Sequence, residues 1–292
     1  MTQLSINPRS ALAPSRVKRN AYEPPMTEDF WLSAGRGTLY LEFPLVIAGN
    51  GSERRRVDGL IVLDGEPKKR PAANAPDLNG KSVIVVQTIA GATDAAHVGQ
   101  ALLSPWLLRQ RYPKIGPIES VLVTASPEPF LTALLQRHGV REVAMTGSSA
   151  VIARTHLRGV PESELDLLHA QVGGEMLIGV HLPADQPLLT TSAVIVSGRP
   201  FKRTVHGRGA KALNLRGEVA TAVVSTTERL GMYVAGFALV ARELLLAAGA
   251  KEANAIALVG TDDKAIHDAL GNFPGVTARD LASLQSELVS PV

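Results

Sequence analysis

The sequence contains no cysteine among its 292 residues. Disulfide bonds and cysteine-based zinc sites are therefore excluded, and the composition suits the cytoplasm, where thiols stay reduced. No apolar run approaches the ~20 residues that a membrane helix needs. The N-terminal stretch also lacks the apolar segment of a secretory signal. We therefore expect a cytoplasmic protein with no membrane partner.

Several motifs that identify enzyme classes are missing as well. Without GxxxxGK[ST] there is no Walker-type nucleotide site, and without GxSxG there is no nucleophile elbow. The histidines show no HxxxH spacing, which argues against a zinc site. Aromatic residues make up only 4% of the chain, whereas hydrophobic residues make up 45%. These proportions predict a globular protein with an aliphatic core.

The apolar segments of the first half predict strands at residues 38–47, 57–64, 82–88, 120–124 and 141–145. Because the strands at 57–64 and 82–88 are nearly all apolar, we expect a sheet covered on both faces by helices, an α/β fold. A helix is predicted over 95–111, with a kink or break at Pro105. Ser126 is the predicted N-cap of the next helix, with Pro127 in its first turn.

The second half repeats this order of elements. SVLVTASPEPFLTALLQRHGV aligns with AIALVGTDDKAIHDALGNFPGV, and VVQTIAGATDAAHVGQALL aligns with VVSTTERLGMYVAGFALVA. This similarity predicts an internal duplication; the alternative is two unrelated α/β units that match by chance. On this pairing Glu42 falls near His181, Asp58 near Thr191, Gln87 near Val224 and Ile89 near Thr226. The second half thus keeps the apolar frame and loses the polar candidates.

Candidate site residues follow the strands of the first half. Asp58 begins one apolar strand, Gln87 ends the next, and Gln100 lies on the helix after it. Adjacent strands and a helix can bring these side chains, with Glu42, to one edge. Carboxylate and amide oxygens are ligands that Mg²⁺ prefers.

The segment resembles the core of the restriction-endonuclease-like, or PD-(D/E)XK, superfamily over about residues 27–147. In that family an Asp on one strand is followed by (Asp/Glu/Gln)-x-Lys on the next, often with an upstream Glu. The resemblance assigns these roles to Asp58, Gln87 and Glu42, and implies Mg²⁺ bound by Glu42 and Asp58. Ile89 stands where the family has lysine, so it cannot stabilise the charge that develops on a phosphate. We expect no other cofactor.

Basic residues cluster in two loops that the duplication makes equivalent. The predicted nucleic-acid-binding residues are Arg54, Arg55, Arg56, Lys68, Lys69, Arg70, Arg199, Lys202, Arg203, Arg208, Lys211 and Arg216. Such loops in two copies would form a two-lobed cationic surface for a phosphate backbone. The alternative is a set of solvated loops that keep the protein soluble.

The resemblance implies an α/β fold of two tandem restriction-endonuclease-like lobes, each a mixed central sheet flanked by helices. The predicted domains are an extended basic arm (1–26), a semi-degenerate lobe (27–147), a linker (148–160) and a degenerate lobe (161–292). We expect a non-catalytic protein that binds nucleic acid or assembles with protein partners in a DNA-processing complex. The alternatives are an Mg²⁺-dependent DNA endonuclease with a displaced catalytic lysine and a purely structural subunit.

Overall fold

The computed structural model describes residues 23–47, 54–75, 77–145, 160, 162–182, 189–205, 213–225, 231–259 and 263–280. They form two six-stranded mixed sheets with helices against them. The predicted α/β fold with two tandem lobes, each on a mixed central sheet, is thereby confirmed. The predicted arm up to residue 22 and most of the linker lie outside the described residues, and residues 23–26, predicted as the end of the extended arm, are helical.

The elements of the first lobe are α1 (Glu23–Ala34), β1 (Thr38–Val46), β2 (Arg55–Val62), β3 (Lys69–Pro71), β4 (Val83–Ala92), α2 (Ala95–Arg111), β5 (Ile118–Ser126), α3 (Pro129–Arg137) and β6 (Val140–Ala144). Those of the second lobe are α4 (Glu162–Val172), β7 (Glu175–Ile178), β8 (His181–Leu182), β9 (Leu189–Thr190), β10 (Ala193–Ser197), β11 (Lys202–Val205), β12 (Val219–Ser225), α5 (Met232–Ala247), β13 (Glu252–Val259), α6 (Lys264–Leu270) and β14 (Val276–Asp280).

The two sheets have the same topology. The strand order is β3-β1-β2-β4-β5-β6 in the first lobe and β11-β7-β10-β12-β13-β14 in the second. In both lobes the first three central strands pair antiparallel, the last three pair parallel, and the short outer strand runs parallel to its neighbour. The short β8–β9 pairing, in which His181 faces Thr190, matches the outer end of the β1–β2 pairing, in which Pro44 faces Arg56. The shared order and directions are those that an internal duplication predicts.

The register extends this match to single residues. Gly59 pairs with Leu41 and Val86, and Ala193 pairs with Ile178 and Val223 in the same way. We call positions that match in the two registers twin positions. Gly37 and Gly174 are twins: both have positive φ, and a Cβ on either would collide with a strand carbonyl, 2.6 Å from Val62 O and 2.2 Å from Val196 O. Both positions therefore require glycine.

The lobes meet where α2 crosses α5. A Cβ on Gly99 would lie 2.3 Å from the Cα of Gly236, and a Cβ on Gly236 would lie 2.2 Å from the Ala95 carbonyl oxygen. Two glycines thus let the backbones touch. The largest group of buried apolar side chains runs through this crossing and includes residues of both lobes. Two ion pairs also join the lobes, Arg55 with Asp263 and Arg137 with Glu243, both at 3.0 Å.

Three local predictions are corrected. Helix α2 continues through Pro105. Because proline has no N–H, the Ala101 carbonyl loses its helical partner. The Ser120 hydroxyl donates to this carbonyl instead, at 2.8 Å. Helix α3 is capped by Glu128, whose carboxylate accepts from the Leu131 N–H at 2.8 Å, and not by Ser126. The outer strands β3 and β11 have a basic composition, and no apolar pattern predicted them.

Candidate functional site

Three predicted site residues lie in one row across the first sheet. The row Leu41, Gly59 and Val86 is fixed by backbone pairing. One step further along the strands the row contains Glu42 on β1, Asp58 on β2 and Gln87 on β4. The predicted convergence of these three backbone positions is therefore present, and their side chains decide what the row can do.

Asp58 is a residue of this row whose pKa is raised by its surroundings. It is half-buried, and its Oδ2 accepts a hydrogen bond from the Thr88 N–H at 2.7 Å. The pKa of Asp58 is raised to about 7, mainly by burial and also by the charges of Glu23 and Glu42, against the lowering effects of the Thr88 N–H and of His97. Asp58 is thus a carboxyl group that titrates near neutral pH.

Glu42 has a backbone conformation that only glycine adopts easily. Its φ is 51°, and it is the one non-glycine residue with positive φ in the described part of the chain. Its exposed carboxylate pairs with the Arg56 guanidinium at 3.6 Å. Arg56, predicted as a phosphate contact, is therefore the cation beside the carboxylates of the row. A φ in this region is unfavourable for a residue that carries a side chain.

Gln87 and Gln100 belong to a different network. The buried Gln87 amide donates to the Ser104 hydroxyl at 2.9 Å, and that hydroxyl donates to the backbone carbonyl of Gln100 at 2.6 Å. Ile89 is 6% exposed and lies among the aliphatic side chains under α2. The position of the family's lysine is thus part of the hydrophobic core.

These arrangements do not fit the expected Mg²⁺ site. Glu42 is engaged by Arg56 and the Gln87 amide by Ser104. Within the described ranges, no group of three or more histidine, aspartate or glutamate side chains is placed to hold a metal ion. Such ions usually take several oxygen ligands at once. We therefore derive no reaction step through a metal.

A histidine that sequence reasoning left aside joins the site. His97, in the first turn of α2, is 6% exposed, and its Nδ1 lies 2.7 Å from Oδ1 of Asp94, the N-cap. Burial alone would raise the pKa of Asp94, but hydrogen bonds from the His97 ring and from two backbone N–H groups lower it. The Asp-x-x-His spacing at a helix start could have indicated this contact, because N-cap and N3 side chains face each other.

The second lobe has none of these side chains at its twin positions. Counting from the paired rows, the twins of Glu42, Asp58 and Gln87 are Gly179, Ser192 and Val224. The sequence placed the first two near His181 and Thr191. The register gives positions two residues and one residue from these, because an apolar alignment does not detect where a strand pairs. Gly179 has φ 67°, close to that of Glu42.

Half of the predicted nucleic-acid-binding residues form ion pairs with acidic residues. Arg55 pairs with Asp263, Arg56 with Glu42, Lys68 with Glu66, Lys69 with Glu28, Arg199 with Glu175 and Glu218, and Arg203 with Glu162 and Asp166. Among the residues that the structure describes, Arg54, Arg70, Lys202 and Arg216 have no ion pair. Arg208 and Lys211 lie outside the described residues.

The basic residues of the two outer strands occupy matching registers. Lys69 and Arg70 lie beside Leu39 and Tyr40 on β1, and Lys202 and Arg203 lie beside Glu175 and Met176 on β7. Since Leu41 and Ile178 are twins, Lys68 is the twin of Lys202 and Lys69 the twin of Arg203. The predicted equivalence of the two basic loops is therefore present in the fold.

Comparisons of the chain with protein-family models, curated proteins and solved structures found no match. None of the helices in the described ranges combines the length and apolar character needed to cross a membrane.

Proposed function

We propose that this chain is a non-catalytic protein of nuclease-like fold that binds the phosphate backbone of nucleic acid, as a subunit of a DNA-processing complex. The observation that supports binding is the matched register of exposed cations on the outer strands of both lobes. Duplex backbones repeat regularly, so a protein with repeated cationic edges can contact two phosphate tracks. Ile89 and the engaged side chains of Glu42 and Gln87 support the absence of cleavage.

Duplex binding as a function of salt tests this proposal. Arg70 and Lys202, one on each outer strand, have no ion pair within the described ranges, so their reversal breaks no described salt bridge. Arg70→Glu/Lys202→Glu should lower affinity and reduce the slope of log K against log[salt] by about 1.8, since each phosphate contact contributes about 0.9.

The matched control is Lys114→Glu/Lys251→Glu. Both lysines are exposed and lie off the outer strands, and the change in net charge is the same. Equal losses in the two double variants would show that net charge, and not the outer strands, carries binding. Absence of duplex binding by the wild type at low salt would refute the proposal. Cleavage of the duplex by the wild type with Mg²⁺ would refute its non-catalytic part.

A further inference from the structure

The Asp94–His97 pair, which we call the polar centre of the first lobe, contacts a side chain of the second lobe. The ring of Tyr233, in the first turn of α5, lies edge-on to the His97 ring, with centroids 6.2 Å apart and planes at 74°. Aromatic pairs favour this arrangement. His97 is buried and its ring is in hydrogen-bond contact with the Asp94 carboxylate, so Tyr233 lies against the ring of this pair.

Two contacts therefore orient His97. The pKa of Asp94 lies below its ordinary value, so at neutral pH this carboxylate accepts and His97 Nδ1 carries the proton of their 2.7 Å hydrogen bond. In the neutral ring Nε2 is then the basic nitrogen. Tyr233 lies against the ring from the other lobe, and the two helix backbones touch at the contact of Gly99 with Gly236.

Packing between the lobes does not require this pair. The helices cross at the twin glycines, so the twins of His97 and Tyr233 are Val234 and Ala96. A symmetric interface would repeat the contact as Ala96 against Val234, two apolar side chains. The pair of a histidine and an aromatic ring therefore occurs once at the crossing, and its histidine belongs to the lobe that also contains Asp58 and Glu42.

We propose that Tyr233 is a positioning residue for His97, through which the second lobe completes the polar centre of the first. This inference goes beyond the proposed function, because it involves neither the outer strands nor nucleic acid. It also gives the second lobe a role that does not depend on a polar centre of its own.

Nitrogen-15 NMR of the histidine rings in the full chain tests it. The wild type should show one His97 tautomer, protonated at Nδ1, and Tyr233→Phe should keep it. Tyr233→Ala and Tyr233→Leu should shift the two His97 ring nitrogens towards the averaged values of exchanging tautomers. The leucine variant retains apolar bulk, so the interface persists without the ring. Phe201→Ala is the matched control: Phe201 stacks on His169 at 3.9 Å, so its loss should alter His169 and leave His97 unchanged.

Unchanged His97 nitrogens in both Tyr233→Ala and Tyr233→Leu would overturn the proposal. So would a shift in Tyr233→Phe as large as that in Tyr233→Ala, because the ring contact would then not be what orients His97. Duplex affinity should be the same in all these variants, so this test and that of the proposed function can fail independently.

Discussion

The two lobes share a backbone and differ in chemistry. Strand order, pairing directions and register agree, and Gly37 and Gly174 have the same role at twin positions. In the row of candidate residues, however, the twins of Glu42, Asp58 and Gln87 are Gly179, Ser192 and Val224. The positions that fix backbone geometry are thus common to both lobes, whereas the polar side chains are present in only one. The comparison separates residues needed for the fold from residues that folding alone does not explain.

The largest expected effect concerns what the lobes share, the helix crossing. Gly99→Ala and Gly236→Ala should each lower the free energy of unfolding by about 4 kcal/mol, because the new methyl group meets backbone atoms that cannot move aside. Chemical denaturation measures this. Gly271→Ala is the control, since its Cβ would lie 3.3 Å from the nearest atom and its φ is −56°. Unequal losses at Gly99 and Gly236 would break the symmetry of the crossing.

The next effect concerns the two ion pairs that join the lobes. Arg55→Met should cost about 3 kcal/mol, because Asp263, whose side chain is 1% exposed, would lose its guanidinium partner while staying buried. Arg137→Met should cost less, since that arginine is 57% exposed. Urea denaturation of the two variants gives the comparison, and a smaller loss for Arg55→Met would contradict it.

The raised pKa of Asp58 predicts that stability depends on pH, an effect to which its twin Ser192 cannot contribute. The pKa of Asp58 is raised from 3.8 to about 7 in the folded chain, so between these values the folded state binds more protons than the unfolded state. Stability contributed by the protonated carboxyl is present below pH 4 and is lost as pH rises through 7. Asp58→Asn should remove this slope and raise stability at pH 8 by about 2 kcal/mol.

The control for that pH series is Ser192→Ala, which changes the twin position and removes no titratable group. Denaturation at pH 5 and pH 8 should give the same difference for Ser192→Ala as for the wild type. A wild-type slope that persists in Asp58→Asn would assign the titration to another residue.

The smallest effect concerns the shared positive φ. Gly179→Ala should destabilise the chain by about 1 kcal/mol, because a side chain is strained in the left-handed region. Glu42→Gly should stabilise it, by about 0.5 kcal/mol, since the relief of strain exceeds the loss of an exposed ion pair with Arg56. Thermal melts measure both. A destabilised Glu42→Gly variant would mean that Glu42 serves the fold after all.

Sequence reasoning predicted the elements whose signals are local. Apolar strands such as β4 and the helix α2 came from side-chain patterns, and the duplication came from aligned strings. The register of single residues did not follow, since the sequence placed the counterparts of Glu42 and Asp58 only near His181 and Thr191. Register depends on which backbone groups pair across strands, and an aliphatic run fits several registers equally well.

The site was predictable in its backbone and not in its partners. The sequence predicted that Glu42, Asp58 and Gln87 come together at one edge. It could not show that Gln87 donates to Ser104 or that Glu42 pairs with Arg56. Contacts between distant residues depend on helix placement, which composition does not encode. The contact of Asp94 with His97 is the exception, because both residues lie in one helical turn.

The basic outer strands have a consequence for solubility. The β3 edge of the first sheet and the β11 edge of the second pair with no further strand in the described ranges, and a strand with unpaired N–H and C=O groups is a template for aggregation. The first carries Lys69, Arg70 and Pro71, and the second carries Lys202 and Arg203. Like charges repel a second copy, and proline lacks the N–H that pairing needs. The same cations that would attract phosphates therefore keep neighbouring molecules from joining sheet to sheet.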